Sequence, residues 1–318
     1  MAIKFKNEEE RMMLIKSFKS TVPELFMSVY YDESVTDIML NQDGKLFVDG
    51  YKGMQCVGTM SFADAMFFIM SISGVLGDEV HGERPVLEGE FPLGGRIEAL
   101  VPPVVSRPSF AIRKFAKSPY SLDYYVETGT MTTEEKLMIM ESVVKRKNMI
   151  IAGSTGSGKT TLSNAILSLI PKEDRVLTIE DTNELDLSGV DNWLQMRTSL
   201  NVDMVGLLKA AMRLKPDRIV VGEVRDKSAH ALLKAWNTGH PGGIATLHAD
   251  SSLDTLYRLN SLVEEAGVIN QQTLISRAVD LVFFIKKIGN KRIIAEICNV
   301  EGFKNDEFIV SYIKNVNT

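Results

Sequence analysis

Residues 153–160 read Gly153-Ser154-Thr155-Gly156-Ser157-Gly158-Lys159-Thr160, and no other stretch constrains the fold as tightly. Two glycines enclosing four residues, followed by a lysine and a hydroxyl residue, form the pattern of a phosphate-binding loop. Such a loop works at a strand-to-helix junction. Its backbone N–H groups turn inward around an oxyanion, and the helix that follows adds the positive end of its dipole. The flanks fit this demand: Asn148–Ala152 is apolar and of strand length, and a helical stretch runs on until Pro171. Lys159 is expected to reach the β- and γ-phosphates of a nucleoside triphosphate, and Thr160 to place its hydroxyl on Mg²⁺. Gly153, Ser154, Thr155, Gly156, Ser157, Gly158 and Thr161 complete the expected nucleotide contacts. The expected cofactors are therefore ATP and Mg²⁺. A guanine signature is absent, because Asn290-Lys291 continues as Arg292-Ile293.

From Pro119 onward the texture alternates between helix and strand. A capping box at Thr132-Thr133-Glu134-Glu135 opens a helix. Strands are predicted at 148–152, 175–179, 218–221 and 244–247, with helices at 203–214 and 228–237. That alternation predicts a mostly parallel sheet covered by helices on both faces. The stretch from Leu281 to Val310 reads as antiparallel strands closing the domain. The first part of the chain is different. It shows a short amphipathic helix over about 8–20, a hairpin at 35–40 and 45–49 around Asn41-Gln42-Asp43-Gly44, a helix at 62–73 and a strand at 94–101. The fold class expected is α/β, with a smaller α+β N-terminal domain at 1–105, a linker at 106–120 and a P-loop domain at 121–318. Within that linker, Phe110-Ala111-Ile112-Arg113 has the composition of a strand.

Three further segments carry chemistry. The strand Arg218-Ile219-Val220-Val221 runs into Gly222-Glu223, a carboxylate at a strand end beside the phosphate loop. Gly222 occupies the position where a Mg²⁺-side aspartate would fall, so Glu223 is the natural group to polarise the attacking water. Glu180, in Thr178-Ile179-Glu180-Asp181, ends a second strand on the same side of a parallel sheet. It is a candidate to hold Mg²⁺ waters or the nucleophile. Two of the four histidines, His240 and His248, fall in one short window. A third metal ligand at useful spacing is missing, which argues against zinc. His248 at its strand end is placed to donate a hydrogen bond to the γ-phosphate.

The order of these motifs resembles the secretion traffic ATPases, the hexameric motors of type II and type IV secretion and pilus systems. The acidic box Ile179-Glu180-Asp181, the strand box Gly222-Glu223-Val224-Arg225 and the histidine box Gly239-His240…Thr246-Leu247-His248-Ala249 follow the phosphate loop in that family's order. Pro216-Asp217-Arg218-Ile219-Val220-Val221 and Ala235-Trp236-Asn237-Thr238-Gly239-His240 look like its conjugal-transfer TrbB branch, as do Pro108–Lys114 and Asp37–Asn41. The four-cysteine zinc insertion of the type II branch is absent, since Cys56 and Cys298 are the only cysteines. The resemblance implies a RecA-like C-terminal domain, a homohexameric ring, and arginines from the N-terminal half that reach the phosphates; Arg96 and Arg113 stand in the matching motifs. It also implies an ATPase that powers conjugation or type IV secretion, docked on apparatus proteins at the inner membrane. A pilus assembly or retraction motor and a RecA-like nucleic-acid translocase are the alternative readings.

Composition bears on both. With 36 Lys+Arg against 41 Asp+Glu the formal charge is −5, which argues against direct nucleic-acid binding by overall charge. The N-terminal ten residues hold no apolar signal core, and no uncharged apolar run approaches the roughly 18 residues of a membrane span. The expectation is a cytoplasmic protein, associated with the membrane only through partners.

Overall fold

The computed structural model describes residues 8–50, 52–115, 120–199, 201–288 and 291–316. The chain divides into two compact units, Met1–Ala116 and Lys117–Thr318.

The N-terminal unit runs α1 (Glu8–Thr21), α2 (Glu24–Tyr31), β1 (Val35–Leu40), β2 (Lys45–Gly50), β3 (Gln55–Thr59), α3 (Phe62–Leu76), β4 (Val86–Glu90), β5 (Arg96–Leu100) and β6 (Ser109–Arg113). Its six strands form one sheet in the order β3-β2-β1-β6-β5-β4, antiparallel at every pairing. Ile38 and Leu40 of β1, Ile97 and Ala99 of β5, and Phe110 and Ile112 of β6 are buried. They alternate with more exposed residues, as a sheet with one covered face requires. α3 lies in the same core. Ser61 caps its first turn by accepting from the Asp64 N–H, and Phe68 packs 5.0 Å from Phe110 and 4.7 Å from Phe26, ring centre to ring centre. The stretch expected as a linker therefore contains a strand, Ser109–Arg113. β6 pairs with β1 and β5 in the middle of the sheet, because its Phe110 and Ile112 have a core to fill. Residues 116–119 of that expected linker lie outside the described residues.

The C-terminal unit runs α4 (Leu122–Glu127), α5 (Thr133–Val144), β7 (Met149–Gly153), α6 (Lys159–Leu167), β8 (Arg175–Glu180), β9 (Asn192–Arg197), α7 (Met204–Ala211), β10 (Arg218–Val221), α8 (Ser228–Asn237), β11 (Ile244–Leu247), α9 (Ser252–Glu265), α10 (Gln272–Ala278), β12 (Leu281–Ile288), β13 (Lys291–Lys304) and β14 (Glu307–Asn315). The sheet order is β14-β13-β12-β7-β11-β10-β8-β9. All five residues of β7 are buried, and Met149, Ile150 and Ile151 alternate between two cores. Ile150 packs with Leu177, Ile219, Leu232 and Leu259 on one face; Met149 and Ile151 pack with Val176, Val220, Ile139 and Leu162 on the other. Apolar residues on both faces of every central strand are what a sheet between two helical layers needs.

One reading changes here. β12 was expected to be antiparallel, yet it pairs parallel with β7, Leu281 opposite Met149. On its other side β12 pairs antiparallel with β13, and β13 with β14, as the sequence suggests. The helix α10 returns the chain to the start of the sheet, so β12 enters in the same direction as β7. β11 lies between β7 and β10, the strand that carries Glu223.

The capping box at Thr132 is present. The Thr132 hydroxyl accepts from the Glu135 N–H at 3.2 Å, and Glu135 Oε2 accepts from the Thr132 N–H at 3.0 Å. The other oxygen of this buried Glu135 is ion-paired with Lys314 of β14 at 2.8 Å.

At the end of the sheet where β10 begins, Arg218 is 1% exposed. Its Nε donates to Asp174 Oδ2 at 2.7 Å and its Nη2 to the Val143 carbonyl at 2.9 Å; Arg146 also pairs with Asp174. Burial pulls the guanidinium pKa down, and the Asp174 carboxylate opposes that pull. Removing one partner of a buried pair leaves the other charge uncompensated, at a cost of roughly 3–5 kcal/mol. Arg218→Ala should lower the unfolding free energy by about that much. Urea denaturation checks it, and a loss below about 1 kcal/mol would show the pair to be dispensable.

Candidate functional site

Parallel strands leave their following loops at one edge of the sheet, and the sequence motifs lie in those loops. The phosphate loop joins β7 to α6. Gly153 has φ 152°, and a Cβ there would stand 2.3 Å from the Ile285 carbonyl oxygen, so the close approach of β12 excludes any side chain. Lys159, the first residue of α6, is buried and curls back over the loop. Its ammonium donates to the carbonyls of Gly153 at 2.9 Å and Ser154 at 3.0 Å. Thr160 and Thr161 follow in the first turn of α6. The Ser157 hydroxyl is buried in the loop without a partner in the protein. An orphaned donor, a helix N-terminus and a lysine within one loop fit a phosphate chain. Among the described residues no group of three or more His, Cys, Asp or Glu forms a metal cage. Triphosphate sites hold Mg²⁺ mainly through phosphate oxygens and waters and need no such cage.

β11 ends next to the loop, which puts His248 between Lys159 and Glu223. The Lys159 ammonium is 3.4 Å from each ring nitrogen of His248, and His248 Nε2 is 3.1 Å from Glu223 Oε1. Backbone pairing beyond the strand ends holds Glu223 in place. The Val224 N–H donates to the Thr246 carbonyl at 2.9 Å, and the Thr246 hydroxyl to the Gly222 carbonyl at 2.6 Å. Lys159, His248 and Glu223 are thus brought together.

Glu180 stands differently from its expected role. Its Oε1 accepts from the N–H groups of Glu184 at 2.8 Å and Leu185 at 2.9 Å, and its Oε2 from the Gln195 amide at 3.0 Å. Burial pushes its pKa up, while these three donors favour the ionised form. Gly222 explains how it fits: a Cβ there would lie 2.9 Å from Glu180 Cγ. The carboxylate is committed to the loop after β8, and a metal water would have to share Oε2 with Gln195.

Arg96 and Arg113 belong to the N-terminal unit. They are directly opposed across β5 and β6, so both side chains leave the same face of that sheet. Arg96 pairs with Glu88, and Arg113 Nε lies 3.2 Å from Asp37 Oδ1. His240 sits away from the phosphate loop, its Nδ1 3.2 Å from the Ala235 carbonyl at the end of α8.

Two arginines escaped the sequence reading. Arg225 lies beside Glu223 within a box already singled out, but its spacing carried no role. Arg292 of β13 donates from Nε to the Gly156 carbonyl at 3.2 Å, across 136 positions of chain that no local pattern spans.

Residues 28–302 match the family described as Type II/IV secretion system protein. The conjugal transfer protein TrbB of Rhizobium radiobacter is 42% identical over 300 residues, 93% of each chain. The type IV secretion system protein VirB11 of Bartonella henselae is 28% identical over 84% of this chain and 88% of its own. Among solved structures, the pilus retraction motor PilT with bound ADP superposes with TM-score 0.64 at 18% identity, covering 93% of this chain and 83% of that one, which shows a shared fold.

Burial and the Lys159 charge hold the His248 pKa below the ordinary histidine value of about 6.5; the Glu223 carboxylate works against them. A lowered folded-state pKa contributes stability that is present above the unfolded value and lost as pH falls through the folded one. By NMR, His248 should titrate below about 6.5. Lys159→Ala should move that midpoint up and Glu223→Gln should move it down. Shifts in one direction for both variants would contradict this arrangement of charges.

Proposed function

Because the chain belongs to the type II/IV secretion system protein family, we propose that it is a Mg²⁺-dependent ATPase whose hydrolysis drives a conjugative transfer or type IV secretion apparatus. The observation that carries this reading is the convergence of a phosphate loop, Lys159, His248 and Glu223 at one sheet edge. Phosphoryl transfer to water asks a protein mainly to position phosphates, offset charge and aim the nucleophile. The N–H groups of residues 153–160 and the N-terminus of α6 would cradle the phosphates. Lys159, already among the loop carbonyls, would turn its ammonium to the phosphate oxygens. Mg²⁺, held by Thr160 and the nucleotide, would neutralise charge on the β- and γ-phosphates. Glu223 would accept a hydrogen bond from the attacking water. His248, bridging Lys159 and Glu223, is placed to register whether the γ-phosphate is present. Glu180 supports the site from beneath, by fixing the loop that follows β8.

We infer a homohexameric ring, in keeping with the motors that the motif order resembles. Among the described residues no helix is long and apolar enough to cross a membrane, so attachment to the inner membrane would run through apparatus proteins. Light scattering with ATP and Mg²⁺ should report six subunits; a strict monomer under several salt conditions would contradict the ring.

Arg96 and Arg113 are proposed to offset charge on the phosphates. Their pairs with Glu88 and Asp37 are half-exposed and so worth little to stability. Replacing either with Ala should cut turnover about tenfold or more, roughly 1.4 kcal/mol in barrier, with the melting temperature nearly unchanged. Parallel losses of both would mark the arginines as structural.

Single-turnover cleavage separates the two glutamates. Glu223→Gln keeps the shape and loses the charge. It should bind ATP as the wild type does and slow cleavage by about 10²-fold or more, the usual worth of a general base. Glu180→Gln turns one acceptor into a donor facing an N–H. It should weaken binding and chemistry together, and more mildly. Cleavage by Glu223→Gln at the wild-type rate, with Glu180→Gln inactive, would reverse the assignment.

A further inference from the structure

Glu223 is held from two sides. Its Oε1 faces His248 Nε2 at 3.1 Å, and its Oε2 faces Arg225 Nε at 3.8 Å. The second separation is too long for a hydrogen bond, so this arginine acts on the carboxylate through its charge. What keeps it at that distance lies on its far side. Arg225 Nη2 is ion-paired with Asp181 Oδ2, and Asp181 Oδ1 accepts from the Thr198 hydroxyl at 2.9 Å. The Thr198 N–H in turn donates to the Glu180 carbonyl at 3.0 Å, which fixes this threonine beside the end of β8. A guanidinium and a carboxylate without such competition close to a hydrogen-bonded fork at about 2.7–2.9 Å. A fork of that kind would occupy the lone pairs that a water needs.

We propose that Arg225 is a positioning residue for Glu223, and that Asp181, steadied by Thr198, holds Arg225 at a stand-off from it. At that distance the guanidinium orients the carboxylate through its charge without closing on it. The proposal rests on the reading of Glu223 as the group that polarises water. Asp181, Arg225 and Glu223 are contributed by the loops after two different strands, and their side chains are 36%, 48% and 30% exposed. Pairs this open contribute little to folding, so their loss should be felt in turnover.

Steady-state ATP hydrolysis by the full chain tests the device, with Arg225→Gln, Asp181→Asn, the double variant and Glu223→Gln measured side by side. Arg225→Gln should lower kcat about tenfold while KM stays within about twofold. Asp181→Asn should also lower kcat, because Arg225 is then released onto Glu223. The double variant should be no slower than Arg225→Gln alone, since Asp181 acts only through the arginine. A kcat effect separated from KM, and absorbed in the double variant, is not produced by general loosening. Wild-type kcat for Arg225→Gln, or losses that multiply in the double variant, would overturn the proposal. Should Arg225→Gln lose its melting transition, Asp181→Asn and Thr198→Val carry the test, and wild-type kcat in both would overturn it. If Glu223→Gln itself turns over normally, the reading of Glu223 fails and the stand-off falls with it. If Glu223→Gln is inactive while the Arg225 and Asp181 variants are normal, the stand-off alone fails.

Discussion

The parallel pairing of β12, β7, β11, β10 and β8 is the constraint on which the candidate site depends. β7 is fully buried and hydrogen-bonded on both sides, so its direction cannot change without exposing two cores. With all five strands pointing one way, their loops open at a single edge. The phosphate loop, His248, Glu223 and Glu180 meet there although they come from segments spread from Gly153 to His248 along the chain. Interleaving sets their order in space: β11 enters between β7 and β10, and a histidine therefore separates the lysine from the glutamate.

The two ends of this sheet use charge in opposite ways. At one end Arg218 and Asp174 are buried, paired and committed to structure. At the other, Lys159, His248, Glu223, Arg225 and Asp181 form a row of alternating character in which most members are partly open to solvent. A buried pair resists rearrangement because separating it is costly. A half-exposed row can be re-sorted by an arriving anion at small cost, and that suits a site whose ligand carries several negative charges.

What was legible in the sequence was local. The phosphate loop, the capping box at Thr132 and the strands at 148–152, 175–179, 218–221 and 244–247 are written in contiguous residues, and they stand in the structure. What depends on pairing between distant segments was not legible. The direction of β12 is set by α10 returning the chain, and the place of β10 by β11 slipping in beside β7. β9 has weak alternation because it is a sheet edge, half-exposed along its length. It is nevertheless β9 that supplies Gln195 to Glu180, and so a carboxylate expected beside the metal is found holding its own loop. Arg292 reaches the phosphate loop from a hairpin far downstream, with nothing in its neighbours to announce it.

The buried Glu135 has a consequence at the other end of the chain. One of its oxygens fastens the first turn of α5, and the other is held by Lys314 on the last strand. The closing residues thus act on the opening of the C-terminal unit. Without Lys314 one oxygen of that buried carboxylate would lose its charged partner, so an injury to the last strand is felt beneath the helix that begins at Thr133.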